Sequence, residues 1–380
     1  MSLKESHDKI KNYVQSYFYL YEMQFIPSVN CSAIDKGKAL VFPVILTLLT
    51  SFTGWHLFFQ MISMENLMDV AFNFNVTIAG IQTLITYVTV NLIYKNDFFT
   101  VLDYFDYITT SKANYFAKAR MNHLQSSISI SWKLVRLFFI GASILCLPLS
   151  LVGLIMLKFD TPLIYTVPGI PSDSMFYYPV NIILEPIHFY YIMESIISMD
   201  SLFIMYLFYF RGELYSINSV AELLTDKKTL DKDGENILLM VHTAHRNTLN
   251  QLSILSNVMW HFYWQKFFVV CLCMCGSIFV INQDIFGVVP LAFTVFQLGL
   301  LCMPGQLIDE CSEVLKDTFY MILWYDMKLK YQKSLLLMMI GAQKSIRPET
   351  LGIGEISIYT FVQVAKAAVS YAAFAYAVLI

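Results

Sequence analysis

An all-α polytopic membrane protein is the fold class this sequence predicts, and three observations predict it. Hydrophobic residues fill 57 % of the 380 positions and charged residues only 14 %, against roughly 25 % charged in a soluble globular chain. Mean hydropathy is +0.57, with 30 Phe and 24 Tyr. Seven stretches reach or approach the ~20 apolar residues that cross about 30 Å of hydrocarbon as a helix. One domain laid across a bilayer therefore replaces the two or three soluble domains that length alone suggests. Basic and acidic residues nearly balance, 25 against 28, which argues against a nucleic-acid binder with its concentrated basic patch.

The first three spans, 39–64, 70–94 and 137–157, carry no charge. The fourth, 186–210, contains Glu194 and Asp200. The fifth, 267–282, is short and needs Trp264 and its neighbours to complete the crossing. The sixth, 285–308, is interrupted by Pro290 and Pro304, and the seventh, 355–380, is the most polar. Of the 25 Lys and Arg residues, 23 fall in segment 1–38 and the gaps 95–136, 211–266 and 309–354. The positive-inside rule then predicts a cytoplasmic N-terminus and, with seven crossings, an extracellular C-terminus. That sense is opposite to a G-protein-coupled receptor and disfavours a metabotropic one. Segment 1–38 has charges throughout and no apolar core, so no cleaved signal peptide is expected. No cysteine falls in an outer loop, and no disulfide is placed there. The sequons at Asn30 and Asn75 fall in the cytosol and inside a span, and are discounted.

The polar mass is on the inner side, and it reads as helix. In 308–329 the positions Ile308, Cys311, Leu315, Thr318, Ile322, Tyr325 and Leu329 alternate steps of three and four, a heptad seam. This is either an amphipathic helix packed on its own neighbours or a contact between subunits. Ile237, Val241, Ala244, Thr248, Leu252, Leu255 and Met259 behave similarly in 235–262. Such helices are expected to continue the spans into the cytosol as a bundle. Segment 223–236, charged and turn-rich, reads as a loop. The outer loop 158–185, with its prolines and aromatics, suits a lid over an outer mouth. No internal repeat is apparent, which weighs against a duplicated transporter.

Glu194 and Asp200 face a cavity or a partner by default, since a charge in a span is costly. Six residues apart on a helix, they do not form an acid–base pair; contacts elsewhere in the bundle are the plainer reading. His188, Tyr191 and Ser195 share three–four spacing and are pocket candidates. Cys271, Cys273 and Cys275 do not converge on one helical face, so no metal is implied. His242 and His245 read as surface. No motif of nucleophilic, metal-hydrolytic or phosphate-binding enzymes occurs, and neither an enzyme nor a cofactor is expected. In the last span Thr360, Val364, Ala367, Ser370, Tyr371, Phe374 and Val378 make a stripe, fit for helix packing or for a water-filled path. Lys366 lies to one side of it.

The C-terminal third carries a resemblance. Gly305-Gln306-Leu307, Ser312-Glu313-Val314-Leu315, Phe319-Tyr320, Trp324-Tyr325, Lys344, Arg347-Pro348, Leu351-Gly352-Ile353-Gly354, Phe361, Lys366 and Ser370-Tyr371 together resemble the ordered signature of the insect odorant receptors. Val369 stands where that family often has an aromatic, and Ala372 and Ala373 are smaller than usual. The resemblance implies a ligand-gated, poorly selective cation channel in the plasma membrane of olfactory sensory neurons. A variable, odorant-tuned subunit joins a shared co-receptor in a heterotetramer there. The 56-residue gap between spans four and five, shorter than the co-receptor's, makes this chain the tuning subunit.

Carried across, the last span lines the pore with the stripe from Thr360 to Val378, and Phe374 and Val378 form a hydrophobic gate. The cytoplasmic helices hold the subunits together through Leu315, Thr318, Ile322, Tyr325 and Leu329. The ligand pocket takes Phe72, Asn75, Val76, Ala79 and Gly80 from the second span and Cys146, Ser150, Gly153 and Leu157 from the third. The fourth offers His188, Tyr191, Ser195 and Met199, and the sixth Val289, Phe293 and Phe296. A Phe- and Tyr-rich pocket of this kind suits a small volatile ligand, aromatic ones included. A homomeric gustatory-type channel of the same superfamily is the nearest alternative, disfavoured by Ser370-Tyr371 and the Trp324 region. A transporter ranks behind it.

Overall fold

The computed structural model describes residues 3–20, 33–63, 67–110, 114–156, 166–171, 173–281, 288–343, 349–350 and 354–379. These are almost wholly helical: α1 Leu3–Leu20, α2 Ala33–Ser63, α3 Leu67–Val88, α4 Lys95–Thr110, α5 Asn114–Met156, α6 Tyr177–Ala221, α7 Lys227–Ile281, α8 Val288–Met321, α9 Leu329–Gln343 and α10 Ile358–Leu379. Strands β1 Glu349–Thr350 and β2 Gly354–Glu355 pair antiparallel just before α10. The seven predicted spans lie, in order, in α2, α3, α5, α6, α7, α8 and α10. The two assigned to 285–308 and 355–380 run partly outside the described residues, as do those at 39–64, 137–157 and 267–282 at one end each.

Three helices are far longer than a bilayer. α5, α6 and α7 contain 43, 45 and 55 residues, roughly 65, 68 and 82 Å at 1.5 Å per residue. They continue past any 30 Å core as a packed bundle. Five described helices carry a window long and apolar enough to cross a membrane, in α2, α6, α7, α8 and α10. α3 falls short for a physical reason. Asn73, Thr77, Gln82, Thr83 and Thr86 are all buried on its inward side, so its polarity faces protein, not lipid.

Segment 223–236 is not a loop. A single 3-10 turn, Glu222–Thr225, joins α6 to α7, and α7 begins at Lys227. Asp226 caps it: its Oδ2 accepts from the Thr229 amide at 3.1 Å and the Thr229 hydroxyl at 2.8 Å. Charged residues then propagate the helix, and Leu230 buries beside Gly234. The fourth span likewise starts earlier than expected, at Tyr177, because Pro179 falls in the first helical turn where a missing N–H costs little. Of the proposed lid, 166–171 and 173–176 are described. There the Val167 amide donates to Asn181 Oδ1 at 2.9 Å, which ties the loop to the start of α6.

The heptad seam is corrected. α8 ends at Met321, and Ile308, Cys311, Leu315, Thr318 and Ile322 are buried inside this one chain. Leu315, Thr318 and Ile322 therefore pack on their own neighbours and are not free to meet another subunit. Tyr325 and Leu329, beyond the helix, are exposed. The seam in 235–262 is intrachain too, with Ile237, Val241, Thr248, Leu252, Leu255 and Met259 buried. His245 is buried as well, edge-on to Phe319 at 5.3 Å, and is not a surface residue.

Two polar clasps fix the inner bundle. Arg120 of α5 grips Glu213 of α6 in both hands, Nε to Oε2 at 2.8 Å and Nη2 to Oε1 at 2.5 Å, with both side chains buried. Gly212 beside it lets the helices close, since a Cβ there would come within 2.8 Å of the Leu124 backbone. At the other clasp, α1 docks through His7. Its Nε2 donates to Asp106 Oδ1 at 2.5 Å and its Nδ1 accepts from the Tyr209 hydroxyl at 2.6 Å, while Lys11 donates to Asp106 Oδ2 at 2.6 Å.

Removing one partner of a buried pair strands the other charge at about 3–5 kcal/mol. Arg120→Ala should thus lower the apparent Tm of the solubilised protein sharply. An unchanged Tm would show that water reaches Glu213. The second clasp carries a pH dependence. Burial acts to raise the Asp106 carboxyl, but the hydrogen bonds from Lys11 and His7 outweigh it and hold the group below its ordinary 3.8. A depressed carboxylate stabilises above its unfolded value and loses that contribution as pH falls through the folded one. A spin label at Lys4→Cys should gain mobility below about pH 4, and Asp106→Asn should be mobile at neutral pH. No pH response would assign the docking of α1 to Leu3 and Ile10 alone.

Candidate functional site

At the centre of the bundle three helices meet through polar groups. Lys266 Nζ of α7 lies 3.0 Å from Asp200 Oδ2 of α6, and Gln297 Nε2 of α8 donates to the same oxygen at 2.5 Å. Asp200 is fully buried, and Lys266 and Gln297 nearly so. The charge that the sequence left without a partner therefore has one. By sequence Lys266 closes the gap 211–266 assigned to the cytoplasm, whereas α7 carries it straight into the bundle.

Beside this network lies a cavity lined by α3, α6, α7 and α8. By the space open to the centre of a water-sized sphere it measures about 80 Å³, where one water takes about 10–15 Å³, so a small organic molecule fits. Its wall is ordered by the network. Stepping back from Asp200 by helical turns gives Ile196, Met193, Ile192 and Phe189. Stepping forward from Lys266 gives Val269, Val270, Cys273 and Ser277, and back from Gln297 gives Thr294, Phe293 and Pro290. All eleven line the cavity, with Asn75, Val76, Ala79 and Gln82 of α3 and Gln297 itself. Each helix thus presents the face that ends in its member of the network. No lining residue is charged.

The predicted pocket overlaps this wall in part. Asn75, Val76, Ala79 and Phe293 line the cavity. Gly80 is turned onto α2, where a Cβ would meet the Thr50 hydroxyl at 2.6 Å. On α6 the residues that line the cavity stand one position along from the expected ones. His188, Tyr191, Ser195 and Met199 lie off the cavity, although Ser195 and Met199 border a smaller polar recess with Thr86, Phe262 and Lys266. Phe296 is exposed on the outer side of α8, beside Phe138 of α5 at 5.9 Å. The side chains of Phe72, Cys146, Ser150, Gly153, Leu157 and Val289 lie outside the described residues. The fifth span was not expected to contribute and supplies four positions. Two Phe and no Tyr line the cavity, so it is less aromatic than the sequence suggested. The sequence signal for the cavity-lining face of α6 is the intramembrane Asp200, read as the end of a stripe.

α10 rests on two of the cavity's own walls, α7 and α8. Its buried positions are Thr360, Val364, Ala368 and Ala372, which drift around the helix as it crosses its neighbours. Of the expected stripe, Thr360 and Val364 are packed inward and Ala367 is half-buried. Ser370, Tyr371 and Phe374 are exposed, and the Val378 side chain lies outside the described residues. Cys275 of α7 donates its S–H to the Ala368 carbonyl at 3.2 Å. That gives the cysteine run a packing role, and among the described residues no group of His, Cys, Asp or Glu converges to hold a metal. At the inner end Gly305 of α8 meets the Ile356 carbonyl where any Cβ would clash, which accounts for the glycine that opens the sequence signature.

A profile of the 7tm Odorant receptor family matches residues 66–369. The chain belongs to that family. The insect olfactory receptor OR5 from Machilis hrabei has the same fold, with a TM-score of 0.77 at 13 % identity over 97 % of this chain and 98 % of that one. The same receptor in complex with eugenol superposes with a TM-score of 0.77 at 14 % identity over 98 % and 99 %. No curated protein matches the sequence. This odorant receptor is therefore a seven-span, all-helical membrane protein of a receptor family, not of an enzyme family.

The network makes the receptor's stability test specific. Asp200→Asn or Lys266→Met alone leaves one charge unpaired and should cost about 3–5 kcal/mol, read as lost surface expression. The double substitution removes both charges and should restore much of it. Damage in the double variant equal to the sum of the two single effects would mean that the pair adds no coupling.

Proposed function

We propose that this receptor is the odorant-tuned subunit of a ligand-gated, non-selective cation channel that assembles with the shared insect co-receptor as a heterotetramer. It works in the plasma membrane of olfactory sensory neurons, with its N-terminus cytoplasmic and its C-terminus extracellular. The observation that carries this reading is the shared wall: α7 and α8 enclose the cavity and also bear α10. A small volatile ligand in the cavity gains affinity by leaving water for an apolar lining. It opens the channel by binding more tightly to the arrangement of α7 and α8 in which α10 has moved, since equal affinity for both states shifts nothing.

The family membership supports the pore assignment to α10, as does its exposure. Only 22 % of its most apolar window is buried in the chain, the least of the five candidate spans. Ser370, Tyr371 and Phe374 are the residues of the stripe left for a pore or a neighbouring subunit. A ring of Phe374 side chains would gate by excluding water from the narrowest point. Tyr325 and Leu329, exposed beyond α8, remain candidates for the cytoplasmic subunit contact, whereas Leu315, Thr318 and Ile322 support it from within.

The first experiment is current recording from cells that express the receptor with an insect co-receptor, against co-receptor alone. Rapid odorant-evoked cation current that requires both chains and survives G-protein block is expected. Current from this chain alone would instead support a homomeric channel. In the same assay Phe374→Ser should raise standing current or change ion selectivity while odorant rank order is kept. Altered tuning with unchanged permeation would remove Phe374 from the gate.

A further inference from the structure

Each of the cavity's polar side chains offers a hydrogen-bond acceptor, and its two hydroxyls offer nothing else. The Ser277 hydroxyl donates to the Cys273 carbonyl at 2.7 Å. The Thr294 hydroxyl donates to the carbonyls of Pro290 and Leu291 at 3.0 and 2.9 Å. A hydroxyl has one proton, so both oxygens are left able only to accept. Gln297 is oriented by charge, because only its NH₂ can donate to the Asp200 carboxylate, at 2.5 Å. That leaves Oε1 turned away from Asp200. The Asn75 amide oxygen is buried with no hydrogen-bond partner in the chain, and Gly276 is what lets it sit there, since a Cβ would come within 2.7 Å of it. Ser277, Thr294 and Gln297 are each more than nine-tenths buried. Donors come chiefly from the NH₂ groups of Asn75 and Gln82, the amides not tied to Asp200.

We infer that the cavity selects ligands carrying a hydrogen-bond donor on an apolar body: small alcohols and phenols, over ethers, esters and ketones of the same shape. A ligand that only accepts can be met by the Asn75 or Gln82 NH₂, but it leaves the Asn75 oxygen and the two hydroxyl oxygens without a donor. Dry acceptors without a donor cost about as much as a lost hydrogen bond. Cationic amines, which also donate, are excluded by the uncharged lining, because nothing there compensates the desolvation of a charge. The inference rests on the cavity being the odorant site, and it fixes the ligand class that the proposed channel reads.

The test uses matched pairs, benzyl alcohol against benzyl methyl ether and para-cresol against its methyl ether. Two readouts are taken: thermal shift of the full-length receptor in lipid nanodiscs, and current from cells expressing it with the co-receptor. The hydroxyl compounds should be about tenfold more potent than their ethers. Thr294→Val and Ser277→Ala, which keep the shape and drop an acceptor, should each narrow that ratio, and Gln297→Met should narrow it most. Equal potency within each pair overturns the inference, as does a lack of binding by any of the four compounds. Selective binding of the hydroxyl compounds without current from the pair upholds the inference and overturns the channel reading.

Discussion

The contact of Asp200 with Lys266 and Gln297 is the constraint around which the bundle is arranged. A carboxylate and an ammonium at membrane depth must meet each other or water. Here they meet where α6, α7 and α8 cross, with the Gln297 amide completing the shell. The helices cannot rotate about their axes without stranding a charge, so the apolar residues one, two and three turns away are forced onto one side. That side is the cavity. The network contributes the orientation of the wall, while the surrounding Phe, Ile and Val contribute the apolar surface.

The inner bundle repeats the device with different residues. Arg120 and Glu213 close α5 on α6 beside a glycine that lets the backbones approach. His7 and Lys11 seat α1 on Asp106 of α4, with Tyr209 of α6 beneath. Tyr104 reaches across to the Thr248 hydroxyl at 2.8 Å, joining α4 to α7. Between the network and these clasps, α6 is held along its whole length, and it is the most buried of the five candidate spans. α10 is held far less. Its attachments are the small-residue face against α7 and α8, the Cys275 thiol and the close passage of Gly305. A firmly held core and a lightly held last helix are what a channel needs if binding in the first is to move the second.

Much of this was legible in the sequence. Runs of apolar residues fix helices because a lipid-facing backbone must satisfy itself. The three–four spacing in 235–262 marked a packed face, and the family signature marked the last third. Other features were not legible. Segment 223–236 looked like a loop by composition, yet an aspartate cap and one buried leucine suffice to start a helix there. The seam from Ile308 to Ile322 could serve either its own chain or a second one, because an apolar stripe does not name its partner. The cavity wall on α6 is Ile192 and Ile196, where the sequence pointed to Tyr191 and Ser195 one position away. Spacing defines a face but not the direction in which it points.

By itself the sequence determined an all-helical membrane protein with seven spans, its polar bulk on one side and its family. Those follow from composition, period and order, which are local properties of the chain. Only the tertiary structure decided which partner Asp200 takes, which faces enclose the cavity and that the fifth span is one of its walls. Each of these depends on residues 66 and 97 positions from Asp200, brought within hydrogen-bonding distance by helix crossings. A buried charge restricts those crossings strongly, but it acts only once the helices are side by side.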